Sequence, residues 1–398
     1  MSIACTYLST LYFFTPVYKF HEIYHEFPSV NFTLLRLVLS FLLVVALFLY
    51  SIKNFTHRKW AFYTISGVVL ALILFGIILI KFTLFPFSFH TRNEWLSFYY
   101  RVDSSLLGYP GLFFSGYIIF RRGSYAFLGR IVTLFWLFYC SFYFFNWRLL
   151  ILIFYGAEIG ENNINYIFLS SGFSLISLYT MYTWKDTMWN NFIFLISLSL
   201  LFVIPSRSTF ISFFVSSSIL YYGRSRFNGI RSAFMVSILF VGFVFSSKIS
   251  KIDQILENSR LLNTDLSDDT SLEGRRDIAR KNLLNFESNW FFGDFLSDVR
   301  LHGESGHETH SYLSFWEQFG VFPFMLFIIL YSSSGFYLVF EKHGDHKVRL
   351  FLIALFVYTS ILVIFARGFN ESLPFFCIGS TLGFYDRNRV FESLKNPI

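Results

Sequence analysis

Long apolar runs, broken only by short connections, constrain this chain more than any other feature. A membrane-spanning helix needs about 20 mostly apolar residues. Roughly twelve stretches qualify on that length scale: 2–18, 32–52, 60–80, 96–120, 126–146, 165–184, 189–205, 208–222, 232–250, 312–340, 349–366 and 369–385. Only 14% of the residues are charged, against about 25% in an ordinary soluble domain. Phe alone supplies 57 of 398 residues, more than a single soluble core needs. The expected fold is therefore an all-α polytopic membrane protein of about 12 transmembrane helices. The run Leu149–Tyr155 reads as an interfacial helix. The chain start lacks a basic region before its first apolar stretch, so that stretch is expected to be a retained span, not a removed signal peptide.

The net charge of +7 does not point to nucleic acid. Its basic residues lie in the connections between apolar runs, where the positive-inside bias accounts for them. With the N-terminus in the cytoplasm, sixteen Lys and Arg fall in cytoplasmic connections and the tail, and six in the short connections opposite. Both termini are then expected to be cytoplasmic. Cys5, Cys140 and Cys377 are far apart in apolar segments and form neither a disulfide framework nor a zinc pattern.

One segment is too polar to span. Residues 251–309 hold 12 acidic and seven basic side chains and fall on the outer face. The chain thus divides into 1–250 with spans 1–9, a large loop over 251–310, and 311–398 with spans 10–12 and a cytoplasmic tail. The loop is expected to be partly helical over 271–287, capped by Ser271 or Thr270. Asn289-Trp-Phe-Phe-Gly293 reads as a return to the membrane interface, where Trp is favoured.

Four residues on this outer face can carry chemistry. Arg207, in Pro205-Ser-Arg-Ser-Thr209, offers a guanidinium that fits phosphate oxygens in bidentate fashion. An interfacial arginine snorkelling to headgroups explains its position equally. Arg275 lies with Arg276 in Glu273-Gly-Arg-Arg-Asp277, and Arg280 and Lys281 follow one turn later. The plainer reading is a solvated face paired with Glu273 and Asp277. His310, in Thr309-His-Ser-Tyr-Leu313, can act as a base near neutral pH or simply bond the helix start. Arg367, in Phe365-Ala-Arg-Gly368, is costly in so apolar a stretch, so it is functional or paired, with Glu371 the obvious partner. Three fixed positive charges and a titratable base on one face suit an anionic, lipid-linked phosphate.

Two metal readings compete. His21-Glu-Ile-Tyr-His25 matches H-E-x-x-H, but it sits between Pro16 and Pro28 without a third ligand in view. His302, His307 and His310 with Glu304 and Glu308 are dense, yet Gly303 and Gly306 interrupt them and the spacing fits no standard site. The expectation is a metal-free site.

The order Arg207, Gly274-Arg275, Thr309-His-Ser-Tyr-Leu313 and Glu317-Gln-Phe-Gly320 resembles the O-antigen polymerase and O-antigen ligase superfamily. The resemblance covers roughly residues 200–385 and the overall topology. It implies a multi-pass protein of the bacterial inner membrane, a C-type glycosyltransferase fold with a large, partly helical periplasmic loop between spans nine and ten, and an active site on the periplasmic face. It further implies an undecaprenyl-pyrophosphate-linked oligosaccharide as donor, no nucleotide sugar, no cofactor and a chain-length regulator as partner. Arg207, Arg275 and His310 would be catalytic. Arg276, Arg280, Arg367 and Tyr312 would bind substrate. Two departures stand out: Ala279 replaces the usual tryptophan, and one residue fewer separates Ser311 from Gly320, which turns a helix by about 100°. His307 is therefore the reserve for His310. The shortened motif and the Phe content favour a polymerase, which adds the growing chain to a lipid-linked repeat, over a ligase, which adds it to lipid A core. A flippase or transporter is the alternative of another class. Arg101 and Asp103 in the fourth span suit it, while the absence of an internal repeat does not.

Overall fold

Gly123, Gly320 and Gly344, each at positive φ, stand at breaks between helices, while Gly116, Gly223, Gly379 and Gly383 lie inside them. The computed structural model describes residues 108–123, 125–145, 166–184, 187–203, 206–224, 312–340, 344–365 and 373–395, together with residues 42, 45, 280, 282, 287, 289–295 and 297. Among the described residues every long element is an α-helix and no strand occurs. The nine continuous helices among the described residues are α1 (Tyr109–Arg122), α2 (Tyr125–Phe145), α3 (Tyr166–Thr183), α4 (Thr187–Val203), α5 (Arg207–Arg224), α6 (Leu313–Phe319), α7 (Val321–Phe340), α8 (His346–Phe365) and α9 (Leu373–Lys395).

Local chemistry sets several boundaries. Pro110 occupies the first turn of α1, where a missing N–H costs nothing. Gly123 ends that helix at φ 66°, just after Arg121 and Arg122, whose charges suit the negative end of the helix dipole. Asp345 caps α8, its Oδ1 accepting from the N–H groups of Lys347 (2.9 Å) and Val348 (3.4 Å).

α7 and α8 are long and apolar enough to cross a membrane, over Val321–Phe340 and His346–Ile364. Shorter apolar stretches run through α2, α4 and α5. The expected spans 126–146, 165–184, 189–205, 208–222 and 349–366 coincide with α2, α3, α4, α5 and α8 to within a few residues. Two expectations need correction. The single span at 312–340 is two helices, because Gly320 at φ 85° and ψ 178° breaks the helical path. The last span does not yield to a tail after 385. α9 runs on to Lys395 through the polar stretch that begins at Asp386. The expected spans 2–18, 60–80 and 232–250, the interfacial run Leu149–Tyr155 and nearly all of 32–52 lie outside the described residues.

The most extensive helix pairing joins α1 to α9. Gly379 and Gly383 form a G-x-x-x-G face on α9, which lets two backbones touch. A Cβ on Gly379 would collide with the carbonyl oxygen of Phe113, and one on Gly383 with that of Tyr117. One on Gly116 of α1 would meet the Phe376 carbonyl at 2.6 Å. α8 is the central strut. It packs on α5, α9, α7 and α3, burying Phe351, Leu355, Tyr358 and Leu362. Hydroxyls stitch these contacts: Tyr358 bonds Ser174 on α3, Thr359 meets Cys377 on α9 at 3.1 Å, and Tyr331 on α7 meets Ser360 at 2.9 Å.

Around its apolar core the bundle also buries hydroxyls and exposes large apolar side chains. Ser170, Ser174, Ser177, Thr180, Ser212, Ser216 and Thr359 are buried, whereas Leu134, Phe138, Met188, Phe192, Phe214, Met325, Ile329 and Phe336 are exposed. On α3 Ser174, Ser177 and Thr180 donate to carbonyls one turn back, those of Ser170, Phe173 and Ile176.

The contacts also define two ends. At one end Gly123 lies against Arg387, Gly344 against Asn388, Gly129 against Thr183 and Gly223 against Leu350. At the other, Ser170 bonds Thr209, and Tyr109 stacks on Phe375 at 4.4 Å beside Phe315. Helices α1, α3, α5, α7 and α9 therefore run one way, and α2, α4 and α8 return.

Candidate functional site

The candidate site begins with the start of α5. Ser206 precedes the helix and its carbonyl accepts from the Phe210 N–H at 3.0 Å. Its hydroxyl donates to Thr209 Oγ1 at 2.8 Å, and Ser170 of α3 donates to the same oxygen at 3.1 Å. This buried hydroxyl chain ties the first turn of α5 to α3. Arg207 is thereby the first helical residue at the end that also holds α6 and the start of α9; its side chain lies outside the described residues.

A second, tighter construction joins the segment 289–297 to α6 and α7. Gly293 and Gly320 sit back to back, at φ 69° and φ 85°. A Cβ on Gly293 would strike the backbone nitrogen of Gly320, and one on Gly320 the carbonyl oxygen of Phe291. Between them runs a short ladder. The Asp294 N–H donates to the Glu317 carbonyl at 2.6 Å and the Val321 N–H to that of Phe291 at 3.1 Å. The Trp316 indole donates to the Trp290 carbonyl at 2.7 Å. Beneath this ladder Ser297 donates to Glu317 Oε1 at 2.9 Å, and Gln318 donates to Ser297 at 3.3 Å. Ser297, Glu317 and Gln318 are all buried. A buried carboxylate is expensive to desolvate, and the Ser297 hydroxyl returns part of that cost.

Tyr312 stands one residue before α6, partly exposed, with its ring stacked on Phe324 at 6.1 Å. Arg280 is helical and exposed to solvent. Arg280, Asn282 and Glu287 have helical backbone within the expected loop helix, and Asn289 does so just beyond it. Arg275, Arg276, His310, His307 and Arg367 lie outside the described residues, as do the H-E-x-x-H segment at His21 and the pair Arg101 and Asp103. The structure thus brings the starts of α5, α6 and α9 to one end, and its contacts extend to Tyr312 but not to the other expected side chains.

Among the described residues no group of three or more His, Cys, Asp or Glu side chains is placed to hold a metal ion. Sequence reasoning passed over Asp294 and Ser297, and met Glu317 only as part of a motif. The available signal was a carboxylate and an amide inside Phe315-Trp-Glu-Gln-Phe319, where charge is costly unless it is held. No protein-family model matches the chain and no curated protein matches it.

Proposed function

We propose that this chain is a multi-span membrane glycosyltransferase, an O-antigen polymerase acting at the periplasmic face. The observation that carries the reading is the gathering of the starts of α5, α6 and α9 at one end of a bundle whose exterior is apolar. Those starts flank the segments bearing Arg207, His310 and Arg367. The sidedness derived from the basic residues is compatible with the helix directions. The chain leaves α5 at one end and enters α6 at the other, as a crossing at 232–250 requires.

In this reading Arg207 and Arg275 grip the pyrophosphate of an undecaprenyl-linked glycan, and their fixed charge stabilises the anion as it leaves. His310 takes the proton of an acceptor sugar hydroxyl on a second lipid-linked repeat. The hydroxyl oxygen bonds to the anomeric carbon as the bond to the pyrophosphate oxygen breaks, inverting that carbon and releasing undecaprenyl pyrophosphate. Arg367 holds the acceptor phosphate, and Arg276, Arg280 and Tyr312 line the donor path. Two guanidinium groups supply the charge that a divalent cation supplies elsewhere.

The test is surface lipopolysaccharide from a deletion strain carrying single variants. Arg207→Ala, Arg275→Ala and His310→Ala should each remove the polymer ladder and leave one repeat on the core. Bare core would identify a ligase, and lipid-linked repeats held on the cytoplasmic side a flippase. Normal ladders from all three variants at normal expression would sink the assignment.

A further inference from the structure

The aromatic tip Trp290-Phe291-Phe292 is not used by the chemistry proposed above, and it is unusually exposed. Trp290 is 49% exposed, Phe291 38% and Phe292 67%. Three large rings held in water at the tip of a polar loop would be an unsolved cost. The tip is also rigid, because the carbonyls of Trp290 and Phe291 are both taken by α6 and α7. The backbone that carries the rings cannot move away from α6 and α7 without breaking those bonds.

We infer that this tip is a membrane-surface anchor, inserted among the headgroups and upper acyl chains of the leaflet at the start of α7. The inference rests on the reading of α7 as a membrane span. Phe291 packs edge-on against Phe322 at 5.1 Å, and Phe322 begins the exposed stripe of α7 that continues through Met325, Ile329 and Phe336. The tip is therefore the upward continuation of a lipid-facing surface. Depth agrees. α7 has 20 residues, which at 1.5 Å each span about 30 Å, the thickness of a hydrocarbon core. With its far end at one boundary, Val321 is at the other, and Val321 is bonded directly to Phe291. Trp and other aromatic rings are favoured at that boundary. The stretch 289–293 carries no charge to oppose insertion. The anchor fixes the height of the segment 290–292.

The test uses the full chain reconstituted in vesicles of phosphatidylethanolamine and phosphatidylglycerol. Nitroxide labels are placed singly through Phe292→Cys, Phe322→Cys and Arg280→Cys, with Cys5, Cys140 and Cys377 replaced by Ala. Relaxation by oxygen and by a water-soluble nickel complex then reports depth. The labels at 292 and 322 should lie within about one helical turn (~5 Å) of each other in depth, both shielded from nickel, with the label at 280 in water. A label at 292 as nickel-accessible as that at 280, while 322 remains in lipid, overturns the anchor and spares the span. A label at 322 in water overturns the span and the anchor with it. A label at 292 shielded from both reagents means that protein, such as a second copy of this chain, covers the tip, which also overturns the anchor. An independent readout keeps the native cysteines: Trp290→Phe should reduce the fluorescence quenched by brominated lipid, and unchanged quenching counts against the anchor.

Discussion

At the residue scale the strongest constraint lies at Gly293 and Gly320, where two backbones occupy space that any side chain would need. Gly320 adds a backbone conformation that is essentially glycine-only. Gly293→Ala and Gly320→Ala should each lower stability by about 1–3 kcal/mol, read as a drop in the thermal midpoint of the detergent-solubilised chain. An unchanged midpoint for both would show that the clamp is not under strain. Glu317→Ala removes the acceptor for the buried Ser297 hydroxyl and should cost roughly 1–3 kcal/mol. Ser297→Ala together with Glu317→Ala should cost less than the two single changes summed, because each leaves the same bond unmade.

At the element scale the α1–α9 contact makes an unusual prediction. Gly→Ala inside a helix normally gains up to about 1 kcal/mol from propensity. At Gly379 the sign should reverse, since the new methyl meets the fixed Phe113 carbonyl. At Gly223 the neighbour is the flexible end of Leu350, which can move aside. Gly379→Ala should therefore melt well below the parent and Gly223→Ala close to it, measured side by side in one detergent. Equal midpoints for the pair would argue against backbone contact as the basis of the pairing. The boundaries of α2, α3, α4, α5 and α8 were legible because polar residues, glycine or, after α4, Pro205 stand close to their ends in the sequence. The break at Gly320 was not. Apolar character continues from Phe319 across Gly320 into Val321, and the reason for the break is a partner segment at 291–293 that no local window contains. The extension of α9 was hidden for the opposite reason. Its last turns are polar, so hydropathy falls where the helix does not. Tyr117 of α1 donates to Asp386 at 2.9 Å and holds that part of the helix against its neighbour.

At the scale of the whole molecule the exposed apolar faces make the prediction. A bundle with buried hydroxyls and exposed Leu, Phe and Met faces should remain with the membrane pellet after alkaline carbonate washing and should require detergent for release. Release by carbonate alone would refute the spanning reading. Sidedness has its own check. Cysteines at Gly123, Gly344 and Arg387, which share one end of the bundle, should all react with a membrane-impermeant maleimide from the same side, and a cysteine at Arg280 from the other. A split among the first three would contradict the helix directions.

By itself the sequence determined the helical class and, among the described residues, the bounds of α2, α3, α4, α5 and α8, because helix length and apolar character are written in local composition. It also set out the order Arg207, Arg275, His310 that motivates the proposed chemistry. Only the tertiary structure decided where helices touch through glycine backbone, that Glu317 and Ser297 form a buried pair, and that an aromatic tip is locked at the level where α7 begins. Those features depend on atoms far apart along the chain meeting at van der Waals and hydrogen-bond distance, and local composition holds no record of such meetings.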